Sequence, residues 1–111
     1  MARDSLGDVE QFVLVALLHL EGESYGVPIM KEIAGRTGRD VARAAIYIAL
    51  KRLEAKGFVT SRIGDSTPER GGRSKRMFKL TRIGARQLRQ SREAFVRMWA
   101  DADRLLHKAA K

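Results

Sequence analysis

The run Ala42 to Gly57, ARAAIYIALKRLEAKG, passing directly into FVTSRI, restricts the fold of this chain more than any other stretch. Apolar residues at Ala42, Ala45, Ile46, Ala49, Leu50 and Leu53 recur at helical spacing, so the segment predicts a helix with one buried face, leaving Arg43, Tyr47, Lys51 and Glu54 on the other. Gly57 supplies the stop, because helices commonly end with a glycine in the left-handed region. Phe58 and Val59 then open an extended run, in which Phe58, Thr60 and Arg62 alternate with Val59, Ser61 and Ile63.

The residues before this run read as two more helices. Asp8, with Gln11 three residues on, predicts a capping box for a first helix over Val9 to Leu20. Val9, Phe12, Val13, Ala16, Leu17 and Leu20 form its apolar stripe, and Leu14 and Leu18 widen it, so this helix needs cover on two sides. Glu21 to Ser24 reads as a turn. Pro28 is compatible with a helix only in the first turn, which places a second helix from about Val27 to Gly35 with Ile29, Met30 and Ile33 inward. Arg36, Thr37, Gly38, Arg39 and Asp40 make the connector, with Asp40 as the expected cap of the third helix. Two helices joined by a short glycine-containing turn form the helix-turn-helix pattern.

After FVTSRI, the stretch GDSTPERGGRS reads as a hairpin tip and KRMFKL as the returning strand. The 111 residues include 22 Lys and Arg against 13 Asp and Glu, a formal charge of +9. Sixteen of the basic residues but only four of the acidic ones lie between Gly35 and Arg92, whereas Met1 to Ala34 carries two and six. That confinement predicts a polyanionic partner for one half of the chain. A basic helix followed by a basic hairpin predicts double-stranded DNA, with the helix reading bases and the hairpin meeting phosphates or the minor groove. The candidate contacts are Arg36, Arg39, Arg43, Tyr47, Lys51, Arg70, Arg73, Lys75 and Arg76. Arg43 carries the guanidinium fork that matches guanine O6 and N7. Tyr47 either donates its hydroxyl to a phosphate or packs as a half-buried prop, and the flanking Arg43 and Lys51 favour the phosphate.

Thr81 is the expected cap of a last helix running from Arg82 to about Lys108. Leu88, Phe95, Ala102 and Ala109 are spaced by seven, as are Ser91, Met98 and Leu105, giving a coiled-coil seam interrupted at Ser91 and broadened by Trp99 and Leu106. At 1.5 Å rise per residue this helix would be about 40 Å long, too long for the small domain to cover. The expectation is a homodimer whose seam holds Phe12, Leu88, Phe95, Met98, Trp99, Leu105 and Leu106. Residues 1–80 then form a winged helix-turn-helix DNA-binding domain and 81–111 a long C-terminal dimerisation helix, in a fold that is mainly α with a small β-hairpin.

SYGVPIMKEI, AAIYIALKRLEAKGFVTS, the glycine-rich wing and KRMFKLTRIGARQL together resemble the PadR family of bacterial winged-helix transcriptional regulators. The most family-specific positions are Tyr47, Leu50, Leu53, Glu54 and Gly57, then Phe78, Leu80, Thr81 and Gly84. One helix after the wing makes the chain similar to the short-tailed branch of the family. The resemblance implies a homodimeric repressor placing two recognition helices in successive major grooves of a roughly palindromic operator. It also implies a candidate site for a small flat aromatic effector between tryptophans at the dimer seam, for which Trp99 with Phe95 and Met98 is the place, although plain interface packing explains the same residues. Many relatives have a small polar or glycine-containing turn where this chain reads Ala42-Arg43-Ala44-Ala45, and an aromatic hydroxyl where Phe78 stands.

Other classes find little support. Cysteine is absent, which excludes disulfides and thiolate metal sites and suits a reducing cytoplasm. His19 and His107 have no second ligand at metal spacing, GGRS lacks the strand and helix of a phosphate-cradling loop, and no nucleophile and base can be paired. No cofactor and no enzymatic activity are expected. No apolar run approaches the roughly 18 residues of a membrane span. A winged helix that docks an acidic protein instead of DNA is the rival reading, disfavoured by the strip Arg43, Tyr47 and Lys51.

Overall fold

The computed structural model describes residues 6–64 and 74–111. The described elements are α1 (Asp8–His19), β1 (Glu23–Ser24), α2 (Gly26–Thr37), α3 (Arg43–Ala55), β2 (Val59–Ile63), β3 (Arg76–Leu80), α4 (Arg82–Trp99) and α5 (Ala102–Ala109). Helices α1, α2 and α3 pack on one another around Val13, Leu14, Leu17, Ile29, Ile33, Ile46, Leu50 and Leu53, and Val59 and Phe78 close the core from the sheet. The fold is therefore mostly helical with a small antiparallel sheet, as the hydrophobic patterning predicts.

The end of α3 is local chemistry. Gly57 sits at φ +82°, its N–H donates to the Glu54 carbonyl at 3.0 Å, and the Phe58 N–H reaches back to the Leu53 carbonyl at 2.9 Å. This is the paired bonding of a Schellman stop, with Phe58 and Leu53 both buried beside it. Pro28 falls in the first turn of α2, and Thr81 caps α4 by accepting from the Gly84 N–H at 3.0 Å. α1 ends with the same bonding, Glu21 to Leu18 and Gly22 to Leu17, yet here the left-handed residue is Glu21 at φ +67°. A side chain there costs about 1–2 kcal/mol. Glu21→Gly is expected to raise stability by about 1 kcal/mol, measured as a shift of the urea midpoint at unchanged slope.

Five expectations are corrected. The capping contact joins Gly7 and Glu10, not Asp8 and Gln11: the Glu10 carboxylate accepts from the Gly7 N–H at 2.9 Å, glycine has no side chain to return the bond, and Lys56 pairs with the buried carboxylate at 3.0 Å. Glu21 to Ser24 is not simply a turn, since Glu23 pairs with Lys79 and Ser24 with Phe78, which makes the sheet three-stranded in the order β1-β3-β2 rather than a lone hairpin. α2 continues through Thr37, with Gly38 in the left-handed region as its cap, so Arg36 belongs to the helix and not to the connector. Asp40 does not cap α3; Ala42 does, with no side-chain hydrogen bond, because the connector instead turns through the Arg39 N–H to the Thr37 hydroxyl at 3.0 Å. The last helix is broken in two. Ala100 leaves helical geometry and Asp101 takes φ +64°, a conformation that aspartate tolerates better than most residues.

The radius of gyration is 16.1 Å, above the roughly 13 Å of a compact domain of this length. The excess comes from the far half of α4 and from α5, whose residues are almost all exposed. Leu88 is the last buried residue of α4.

Candidate nucleic-acid interface

Four buried residues of α3, Ile46, Ala49, Leu50 and Leu53, fix its rotation about its own axis. Arg43, Ala44, Tyr47, Ile48, Lys51 and Arg52 consequently face solvent. The helix also has no acidic residue in its first turn and begins with Arg43, so its positively polarised N-terminus carries a further positive charge.

The wing is tied to this helix at its base. Ser61 donates its hydroxyl to the Glu54 carboxylate at 2.6 Å and accepts from Arg76 at 3.1 Å, so α3, β2 and β3 share one polar chain. Lys75 lies 4.6 Å over the Tyr25 ring, a cation–π contact at the first residue before α2. The hydroxyl end of Tyr47 rests against the neighbouring Gly26, where an added Cβ would come within 2.8 Å of it. The α3 face and the wing's return therefore converge on the first turn of α2.

On the outer face of the sheet Arg62 makes a two-pronged contact to Glu23, at 3.0 and 3.1 Å, and so clamps β2 to β1 across β3. That hydrogen bonding holds the Glu23 carboxyl below its ordinary value of 4.5; desolvation opposes it, and the charges of Arg62 and Lys79 add to the lowering. Because the folded value is the lower one, the clamp's contribution is complete above about pH 4.5 and is lost as pH falls through the folded value. Arg62→Ala is expected to move the Glu23 titration up toward 4.5, read from its side-chain carbonyl chemical shift.

Of the nine candidate contacts, Arg43, Tyr47 and Lys51 share the exposed face of α3, and Lys75 and Arg76 lie at the wing base. Tyr47 sits as both alternatives allow, about two-fifths exposed and propped on Gly26. Arg36 is paired with Glu32 one turn back along α2. Arg39 stacks over Phe12 at 5.2 Å and faces a cleft of about 780 Å³ between α1 and α3. Arg70 and Arg73 lie outside the described residues. Sequence reading passed over Arg52 and Ile48, which line the same cleft as Arg39; four-residue spacing from Ala44 could have found both.

The candidate seam residues are only partly assembled within one chain. Phe12, Leu88 and Phe95 line a groove of about 620 Å³ with Val15 and Leu18. Trp99 continues it through a tilted contact to Phe95 with centroids 6.0 Å apart. Met98, Leu105 and Leu106 are exposed, the last two beyond the break. Among the described residues no three potential metal ligands lie together, and no helix is long and apolar enough to cross a membrane.

A three-helix unit whose third helix is followed by a basic two-stranded wing is a winged helix-turn-helix. The chain matches the PadR-like family of transcriptional regulators over residues 13–90 and belongs to that family, which makes it a DNA-binding transcriptional regulator and not an enzyme. Among solved structures it is similar to a transcriptional regulator from Clostridium thermocellum, with 27% identity, 93% of this chain and 90% of that one covered, and a TM-score of 0.68. A PadR family regulator from Eggerthella lenta matches at 23% identity over 86% and 81%, with a TM-score of 0.71, and one from Clostridium difficile at 22% over 95% and 100%, with 0.66. No curated protein matches the chain.

Proposed function

We propose that the protein is a cytoplasmic homodimeric repressor that occupies a roughly palindromic operator. The reading is carried by the meeting of the α3 face and the wing base at the start of α2, where Tyr47 rests on Gly26 and Lys75 lies over Tyr25, with Arg43 and Lys51 exposed beside Tyr47 on α3. Arg43 reads bases, while Lys51, Lys75, Arg76 and the wing residues Arg70 and Arg73 neutralise phosphates. Residues 1–80 supply this DNA-binding unit and residues 81–111 the dimer contacts.

With about six to ten phosphates neutralised per dimer, the logarithm of affinity falls against the logarithm of salt with a slope of about −5 to −9. Gel-shift titration on a duplex enriched by selection from a random pool measures it, and a flat response refutes the assignment. On the same duplex Arg43→Ala is expected to cost about 1–3 kcal/mol and blur preference at particular base pairs, whereas Arg73→Ala weakens specific and random DNA alike.

The groove lined by Phe12, Leu88 and Phe95 also favours a second role, an aromatic effector held at the seam. Trp99 is the single tryptophan, so quenching of its fluorescence by flat aromatic compounds, followed by release of DNA, tests that role.

A further inference from the structure

The most outward stripe of α3 is not its arginine face. Ala44, Ile48 and Ala55 recur at helical spacing on one side of the helix, and all three are exposed. Ile48 is 53% exposed, in the middle of a helix that buries its other isoleucine, Ile46, completely. It contributes little to the core. Arg43 and Lys51 flank the stripe on one side, and Arg39 and Arg52, beside Ile48 on the cleft between α1 and α3, flank it on the other.

Basic, apolar, basic is a cross-section that suits a helix lying in the major groove. Phosphates run along both walls of that groove, and its floor is polar except at one place, the 5-methyl group of thymine. A leucine-sized apolar side chain directed at a floor of donors and acceptors would leave them unpaired, which disfavours every base except the one presenting a methyl. We propose that Ile48, with Ala44 one turn before it, is a specificity-determining contact to thymine methyl groups in each half-site. The inference rests on α3 being the reading helix, and adds the base class that its apolar stripe selects.

The test uses the full-length protein and the duplex enriched by selection from a random pool. Thymines of each half-site are replaced one position at a time by uracil, which removes the methyl and leaves base pairing intact. At one thymine position per half-site, wild-type affinity is expected to drop about fourfold, the equivalent of one buried methyl group. Ile48→Ala is expected to bind the thymine duplex about fourfold more weakly and to be indifferent to uracil at that position. Its thermal midpoint should stay near wild type, since the side chain is half in solvent. Uracil tolerated everywhere by the wild type, or uracil penalties that persist unchanged in Ile48→Ala, overturns the inference while leaving α3 as the reader. A selection that enriches no duplex overturns the DNA-reading assignment itself. A large thermal loss in Ile48→Ala with unchanged base preference overturns the inference differently, by making Ile48 a packing residue of the cleft.

Discussion

Gly84→Ala is expected to lower the thermal midpoint by about 15 °C. A Cβ built on Gly84 lies 2.2 Å from the Phe58 carbonyl oxygen and 2.9 Å from its carbon, and the obstacle is backbone, which cannot rotate away. Relief requires α4 to move outward by more than an ångström. That movement strains the Thr81 cap, whose hydroxyl accepts from Gly84 and donates to the Gly57 carbonyl at 2.8 Å, and the Thr81 N–H bond to Phe58 at 3.0 Å. Overpacking and a lost cap together cost about 3 kcal/mol, and about 5 °C per kcal/mol is typical at this size. The control is the same substitution at Gly35, within α2, where an added Cβ meets nothing within 4 Å. Gly35→Ala is expected to stabilise by about 0.5–1 kcal/mol, because alanine is the better helix former. Calorimetry of the two variants should give shifts of opposite sign; equal shifts would mean that α4 does not rest on Phe58.

The second large effect concerns the proposed dimer. Phe95 and Leu105 are each 59% exposed, Met98 is 82% exposed, and Val15 and Leu18 are exposed on α1 beside the groove. Apolar surface of this extent is unfavourable in water and is what the subunit contact of the proposed dimer would cover. Phe95→Glu with Leu105→Glu places carboxylates where a second copy would bury them unpaired, costing several kcal/mol per dimer. Sedimentation is expected to show a dimer for the wild type and a monomer for the variant, with dimerisation weakened by about a thousandfold or more. Operator binding should fall with it, since linked half-sites lose their effective concentration, while the circular dichroism of α1 to α4 is retained. A variant that remains dimeric would place the subunit contact elsewhere.

The Glu10–Lys56 pair shows where sequence reading has a limit. Lys56 at the end of α3 and Glu10 at the start of α1 are 46 residues apart and meet at 3.0 Å, with Glu10 only 7% exposed. Each sits at the helix end that favours its charge. Gln11 and Asp8 offered a locally equal capping pattern, and only the position of Lys56 decides between them. The same holds for β1: two residues, Glu23 and Ser24, have no strand signal of their own and become one because β3 presents a free edge.

By itself the sequence determined a helix within Ala42 to Gly57 with its Gly57 stop, though not its cap, the placement of Pro28, the Thr81 cap, the wing strands, and the basic half of the chain. These are settled by groups within about four residues of one another, where helical periodicity and capping chemistry act. Tertiary structure alone decided that Glu10, paired with Lys56, caps α1, that the sheet has a third strand, and that Tyr47 leans on Gly26. Each depends on which surface arrives from a distant part of the chain, and the free energy of that meeting is absent from any local window of residues.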